Sequence, residues 1–144
     1  MQLLSTARRA VLATLGGDGR PRLVPIAFAM ADEGGAVVLY SALDEKPKTV
    51  SDVRQLARVK DIAARPAVSV LVDRWSEEWD ELAWIRLDGT ARLLEPAIAA
   101  DAAEHGLALR LLRERYPQYA SQRLHERPVI RIAVEHVARW SAEP

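Results

Sequence analysis

The sequence predicts a mainly β protein with two to three helices, in which six antiparallel strands form a closed or nearly closed barrel. Glycine-rich turns join short apolar runs as hairpins, and such loops connect antiparallel neighbours. Helical periodicity is limited to two segments, so strands dominate the pattern. With 144 residues the chain suits one domain with its own core, which we expect to span residues 1–144.

Turn residues bound the predicted strands. The glycines of GGDGRP and DEGG supply the positive φ of tight hairpins, so the first three strands are predicted to form a meander. Pro25 lies inside the second strand and cannot donate to a ladder, which favours a sheet edge or a bulge there. The predicted strands are residues 10–15, 22–31, 36–42, 67–73, 84–94 and 128–140.

Two segments show helical patterns. Apolar residues recur every three positions between Val53 and Ile62, which predicts one amphipathic helix over residues 49–64. Residues 96–116 are predicted to form the second helix, with Pro96 in its first turn and arginines near its end. The final strand is apolar on both faces, which indicates more apolar surface than one barrel can bury.

Composition excludes several classes of function. Lysine plus arginine and aspartate plus glutamate each number 20, so no global field favours nucleic acid or an acidic membrane surface. No run approaches the ~18 apolar residues of a membrane span. Cysteine is absent, which excludes disulfides and thiolate chemistry and fits a reducing compartment. We therefore expect a cytoplasmic protein with neither nucleic acid nor membrane as a partner.

Catalytic and metal signatures are missing from the sequence. It contains no GxSxG, P-loop, GxGxxG or HExxH motif, and the three histidines are widely spaced. His136, near the end of the last strand, is interpreted as structural. We therefore predict no metal site and assign no catalytic side chain.

The stretch DRWSEEWDELAW, residues 73–84, holds five carboxylates within nine residues and three of the four tryptophans. One interpretation is a solvated connection whose tryptophans anchor it to the barrel or to a neighbouring subunit. The other is a lid over a flat aromatic ligand, on which indole rings would stack.

The stretch YSALDEKPKT, residues 40–49, is the strongest candidate for a binding site. A strand ends there and delivers Lys46 and Lys48 just before the predicted helix start at Thr49. A helix N-terminus and an adjacent ammonium group both favour a phosphate. Between residues 46 and 65 there are six basic residues against two acidic ones, so the sequence predicts a local anion site within a chain of zero net charge.

Five motifs in this order resemble the pyridoxamine-phosphate-oxidase-like split barrels, and within them the branch that uses the deazaflavin coenzyme F420. They are GDGRPRLVPIAF, VVLYSALDEKPKT, ARPAVSVLVD, LDGTARLL and VIRIAVEHVARW, and the resemblance covers residues 7–140. It implies a homodimer of six-stranded barrels with a flavin-type cofactor in a groove between subunits. By position it matches Lys48 and Thr49 to the family's Lys-Thr at the phosphate, and Tyr40 and Ser41 to the strand end along which the ring and side chain lie. We expect Lys46 to face the same anionic cofactor.

The resemblance implies hydride transfer between reduced F420 and an electron-poor, conjugated double bond. FMN-binding members commonly carry an adjacent Arg-Lys pair where this sequence has Lys-Pro-Lys, so F420 is favoured and FMN is the alternative cofactor. Three other possibilities remain. The protein is an FMN-dependent oxidase or reductase, a non-enzymatic protein that binds or sequesters a flavin, deazaflavin or haem, or a purely structural dimer. The sequence does not identify the substrate.

Overall fold

A computed structural model describes residues 2–45 and 52–143 of the chain, and within these ranges seven strands form one antiparallel sheet. The strands are β1 Ala10–Leu15, β2 Pro21–Ile26, β3 Ala29–Glu33, β4 Ala36–Ala42, β5 Ala67–Arg74, β6 Ala83–Leu94 and β7 Val129–Ser141. The helices are α1 Gln2–Thr6, α2 Ala57–Ala64 and α3 Ala99–Arg115. Short 3-10 turns lie at Val53–Gln55, Trp79–Glu81, Pro117–Ser121 and Leu124–Glu126.

The sheet order is β2-β1-β5-β6-β7-β4-β3, so the consecutive strands β2 and β3 lie at opposite edges. Two residues, Ala27 and Phe28, carry the chain from one edge to the other. An antiparallel sheet whose two edges are joined in this way is a split barrel, and the predicted fold class is confirmed. No helix among the described residues is long and apolar enough to span a membrane.

The second predicted strand is two strands, which makes seven strands instead of six. The Phe28 backbone N–H donates to the Tyr116 hydroxyl at 3.0 Å, and the Phe28 carbonyl lies 3.1 Å from the same oxygen. Because a side chain satisfies this backbone, the ladder breaks and the predicted meander is wrong. Pro25 does lie in an edge strand, β2, and the hairpins β1–β2 and β3–β4 are confirmed.

The predicted single helix over residues 49–64 is also wrong within the described part of the chain. A 3-10 turn over Val53–Gln55 is followed by Leu56 in an extended conformation (ψ 141°), and α2 begins only at Ala57. The four apolar residues at three-residue spacing are nevertheless buried: Val53, Leu56, Val59 and Ile62. The spacing identified the buried side of the segment but could not show the break.

The second helix begins three residues later than predicted. Pro96 lies in a turn closed by a hydrogen bond from Ile98 N–H to the Glu95 carbonyl, and Asp101 in the first turn of α3 accepts from Glu95 N–H at 3.0 Å. The turn therefore replaces the predicted first helical turn. Arg115 at the end of α3 confirms the predicted basic terminus, and its guanidinium donates to the carbonyl of Leu4 in α1.

Two hydrophobic clusters explain why the final strand is apolar on both faces. The barrel interior contains Ile130 and Ile132 of β7, while Val129 packs in a second cluster between α3 and strands β3, β4 and β7. Helix α3 therefore covers the outer face of the first part of β7. The apolar residues there are buried within one protomer and do not by themselves indicate a second subunit.

Candidate functional site

The end of β4 lies where the two edges of the barrel meet. The Ser41 hydroxyl donates to the Ala27 carbonyl at 2.9 Å, which joins β4 to the crossing between β2 and β3. Tyr40 points the other way, toward α3, and has no exposed surface. Its hydroxyl donates to Glu104 at 2.7 Å. A ligand beside this strand end would therefore meet Tyr40 only through its backbone unless that contact opened.

The other three predicted cofactor-binding residues, Lys46, Lys48 and Thr49, lie outside the described residues. What the structure shows is how the chain is held on either side of them. The preceding residues, Leu43–Glu45, are bound to the segment that follows α3. On the other side, Asp52 accepts a hydrogen bond from the backbone N–H of Arg54 and caps the turn at Val53–Gln55.

Four residues of the segment after α3 hold the end of β4 by hydrogen bonds, and we call them the bracket: Tyr119, Gln122, Arg123 and Arg127. The buried Tyr119 hydroxyl donates to the Asp44 carboxylate at 2.6 Å, and Arg127 donates to the carbonyls of Leu43 and Asp44. His105 of α3 lies 2.6 Å from the Arg127 carbonyl. Burial, together with the Asp44 carboxylate, raises the pKa of the Tyr119 hydroxyl above its ordinary value, so this group remains a donor.

The bracket also holds Glu45, the last described residue before the lysines. Its backbone N–H donates to the Gln122 side-chain oxygen at 2.8 Å, and its carboxylate accepts from the Arg123 backbone N–H at 2.6 Å. These contacts join residues more than 70 positions apart. The bracket, comprising Tyr119, Gln122, Arg123 and Arg127, therefore fixes where the chain leaves the barrel.

Tertiary contacts neutralise part of the basic segment, which is residues 46–65. Arg54 binds both oxygens of Glu95, at 3.0 and 2.6 Å, and Arg65 lies 3.7 Å from Asp61. The local excess of basic residues counted from the sequence is therefore smaller in the folded chain, because Glu95 comes from a distant part of the chain. Within the described part of the segment, Arg58 and Lys60 form no ion pair with described carboxylates within 4.0 Å.

Arg58 is the most distinctive of these cations. Its Nε is buried and has no hydrogen-bond partner among the described residues. Burial lowers the pKa of its guanidinium, and the negative charge of Asp44 opposes that shift. A half-buried cation whose buried Nε has no partner among the described residues therefore lies near Asp44 and the bracketed strand end.

A cleft of about 460 Å³ opens beside the same strand end. Its walls are Arg8 and Arg9, residues 25–27 at the end of β2, and the turn after α3 between Tyr116 and Gln122. The sequence analysis did not select this turn, although the spacing of Tyr116 and Tyr119 in YPQY was a usable signal. The two rings lie 5.6 Å apart and are tilted by 53°.

His136 and the acidic loop between β5 and β6, which belongs to the stretch of residues 73–84, lie on exposed surfaces. Trp75 and Trp79 are about 70% exposed, so neither anchors the loop to its own barrel, whereas Trp84 is paired with Trp140 in the sheet. His136 Nδ1 lies 3.3 Å from Asp88, which also accepts from Ser69. The structure places none of these residues in the lining of the cleft.

The fold and site together define the class of the chain, a split barrel with a bracketed strand end and an adjoining cleft. Residues 1–141 match the family model for pyridoxamine 5'-phosphate oxidase. The chain therefore belongs to this family, which is named after an oxidase. A comparison with curated proteins finds no significant sequence match.

Solved structures with the same fold include an FAD-binding protein and a haem storage protein. A conserved hypothetical protein from Mycobacterium tuberculosis is 21% identical, with a TM-score of 0.71 over 98% of this chain and 81% of that one. An FAD-binding protein from Mesorhizobium loti is 23% identical, with a TM-score of 0.66 over 96% and 88%. The haem storage protein of Vibrio cholerae is 12% identical, with a TM-score of 0.66 over 97% and 89%. At these identities the likeness establishes the fold.

Proposed function

We propose that the protein is an oxidoreductase that transfers a hydride between reduced coenzyme F420 and an unsaturated, conjugated small molecule. The observation that carries the proposal is the bracketed end of β4, which is followed immediately by Lys46, Lys48 and Thr49. These contacts hold Asp44 and Glu45, the last described residues before the lysines, and a phosphate site is most precise when it adjoins a well-held element. Membership of a family named after an oxidase supports an enzymatic role.

The described residues near this strand end fit an anionic cofactor. Arg58 offers a buried donor that no described residue satisfies, and Lys60 on α2 is exposed. With Lys46 and Lys48 they make four basic residues that are separated from one another along the sequence. An anionic group that accepted a hydrogen bond from Arg58 Nε would remove the cost of leaving that donor unpaired.

Dispersed cations favour F420 over FMN. The charge of FMN is concentrated on one terminal phosphate, which needs several donors that converge on one point. Pro47 supplies no backbone N–H there, and Arg54, which could have contributed, is bound to Glu95. F420 has a phosphodiester and a polyglutamate tail, and separated lysines and arginines can follow such an extended anion.

When bound, the reduced deazaflavin would supply the hydride. The protein binds, orients and shields the reactants, and Ser41 holds the strand end against Ala27. Tyr40 is a poor proton donor, because burial and its hydrogen bond to Glu104 raise the pKa of its hydroxyl. We therefore assign no side chain as catalytic acid, and solvent supplies the proton that completes reduction of the double bond.

The test is a paired titration of the purified protein with F420 and FMN, using wild type and Lys48→Glu. We expect F420 to bind at least tenfold more tightly than FMN, and Lys48→Glu to weaken F420 binding at least tenfold, or about 1.4 kcal/mol. The apo-protein melting temperature should barely change. Added salt should weaken F420 binding to wild type, because the attraction is electrostatic.

Arg20→Glu is the matched control, because Arg20 is an exposed cation in the β1–β2 turn. Equal F420 affinity in wild type and Lys48→Glu would remove Lys48 from the site. A protein that purifies with bound FMN and ignores F420 would make FMN the cofactor. Bound F420 without turnover of any conjugated acceptor would indicate a sequestering protein instead of an enzyme.

We also propose that two copies associate through the outer face of β1, β2 and β5. The registers Ala13↔Leu23 and Val11↔Leu71 place these residues on one side of the sheet. Leu15, Leu23 and Leu71 are 41%, 67% and 40% exposed. A contiguous apolar face of this kind is typical of an interface. Pro25 shares this face through its pairing with Val11 and also lines the cleft, so a second copy would border the cleft.

Light scattering should therefore give about twice the chain mass of 16.0 kDa. Leu23→Glu should shift the protein toward the monomer, because it places a charge in the apolar face. Ile98→Glu is the matched control, since Ile98 is 51% exposed but lies at the start of α3. A wild-type monomer at micromolar concentration would contradict the proposed interface.

A further inference from the structure

The cleft beside the strand end contains polar groups whose bonding can be counted. The Tyr116 hydroxyl is used by the backbone of Phe28, and the Tyr119 hydroxyl donates to Asp44. Arg8 donates to the Arg115 carbonyl at 2.7 Å, and its guanidinium lies 4.6 Å from the centre of the Tyr116 ring. These groups are already engaged in holding the walls of the cleft together.

Three polar side chains in the lining retain unused donors. Arg9 forms no hydrogen bond or ion pair with any described residue, and it is exposed. Gln122 accepts from Glu45 N–H through its oxygen, which leaves its amide nitrogen available as a donor. Gln118 is exposed, and no described residue uses its side-chain donor or acceptor. The described lining includes no aspartate or glutamate, so the cleft presents mainly donors and positive charge.

The remaining surface of the cleft is apolar and includes aromatic rings. Ile26, Ala27 and the ring of Tyr116 contribute to its lining, and its volume of about 460 Å³ is in the range of small-molecule sites. A planar apolar body can pack against such a surface, while an attached carboxylate meets the donors at the rim. This combination selects a small aromatic or conjugated carboxylate.

We propose that the cleft binds the carboxylate group of the acceptor substrate through Arg9, assisted by the amide nitrogens of Gln118 and Gln122. The assignment as acceptor rests on the proposed function. The hydrogen bond from Ser41 to the Ala27 carbonyl joins the cleft to the strand end that precedes the cofactor lysines. A carboxylate at Arg9 thus orients the conjugated part of the substrate toward the cofactor side of the cleft.

The experiment is isothermal titration calorimetry with 2-naphthoate and its uncharged analogue 2-naphthamide, in the absence of F420. Wild type should bind 2-naphthoate at least tenfold more tightly than 2-naphthamide. Arg9→Gln should remove this preference by weakening 2-naphthoate at least tenfold, while 2-naphthamide binding stays within twofold. Arg20→Gln makes the same charge change away from the cleft and should leave both affinities unchanged.

A parallel F420 titration separates this proposal from the proposed function. Arg9→Gln should bind F420 within twofold of wild type. If wild type does not bind F420 but 2-naphthoate binding still depends on Arg9, the carboxylate site is supported and the F420 assignment fails. Equal binding of 2-naphthoate to wild type and Arg9→Gln, or no preference for it over 2-naphthamide, would overturn the carboxylate site.

Discussion

Replacing Glu104 with alanine should lower the free energy of unfolding by about 3 kcal/mol, because the buried Tyr40 hydroxyl and the partly buried Arg131 guanidinium both lose their main partner. Glu104 on α3 accepts from the Tyr40 hydroxyl at 2.7 Å and from Arg131 Nε at 2.6 Å. Tyr40 is fully buried, and Arg131 keeps only a longer contact of 3.7 Å with Glu33. Urea denaturation at pH 7 measures the loss.

Two further variants separate the contribution of charge pairing to this loss of unfolding free energy from the contribution of helix packing. Tyr40→Phe removes one hydrogen bond and should cost only about 1 kcal/mol. Glu104→Gln keeps a side-chain acceptor but loses the charge, and should fall between Tyr40→Phe and Glu104→Ala. If all three variants unfold at the same urea concentration as wild type, the network of Tyr40, Glu104 and Arg131 contributes nothing to stability.

The same network predicts a pH dependence. Burial acts to raise the pKa of Glu104, but the hydrogen bonds from Tyr40 and Arg131 outweigh it and lower the pKa below its ordinary value of 4.5. A group whose folded-state pKa is depressed stabilises the protein above its unfolded-state pKa and loses that contribution as the pH falls. The stability difference between wild type and Glu104→Gln should therefore shrink below about pH 4.5. A constant difference between pH 7 and pH 3 would contradict the ionised pair.

Gly89→Ala should destabilise the protein by about 2–3 kcal/mol, because the added methyl group has no room. Gly89 lies at the bulge between β6 and β7, where the register shifts between Asp88 and Gly89. A Cβ at this position would lie 2.2 Å from the Ala133 carbonyl oxygen and 3.2 Å from the Val134 Cα. Both are backbone atoms, so the strands themselves would have to move.

Gly106→Ala is the matched control and should have the opposite sign. Gly106 lies within α3, and a Cβ there meets no atom within 4 Å. Alanine in an exposed helix interior is favoured over glycine by about 0.5–1 kcal/mol, because it restricts the unfolded chain. Thermal denaturation of the two variants provides the comparison, and a Gly89→Ala protein as stable as wild type would show that the bulge can relax.

Elements marked by local signals were predicted well from the sequence. Glycine-rich turns identified the hairpins β1–β2 and β3–β4, and Pro25 correctly indicated an edge strand. The spacing of Val53, Leu56, Val59 and Ile62 identified their buried side. These predictions succeed because turn conformation, ladder bonding and side-chain periodicity depend on residues near one another in the chain.

The candidate site was predicted only in part. The sequence selected the strand end and the lysines that follow it, but not the bracket that holds that strand end. The interaction between Asp44 and Tyr119 joins residues 75 positions apart. The pairing of Arg54 with Glu95 is likewise distant in sequence, and it neutralises one of the six basic residues counted between positions 46 and 65. Local charge counts cannot include partners that only folding brings close.

The sequence by itself determined the strand-rich class, the hairpin turns and the position of the basic segment. The tertiary structure decided the break at Phe28, the division of the 53–64 segment into a turn and a helix, and the cleft beside Ala27. In the first case the deciding contact is the Tyr116 hydroxyl, which satisfies the Phe28 backbone from 88 residues away. A backbone group is satisfied by whichever partner folding places beside it, and strand propensity carries no information about that partner.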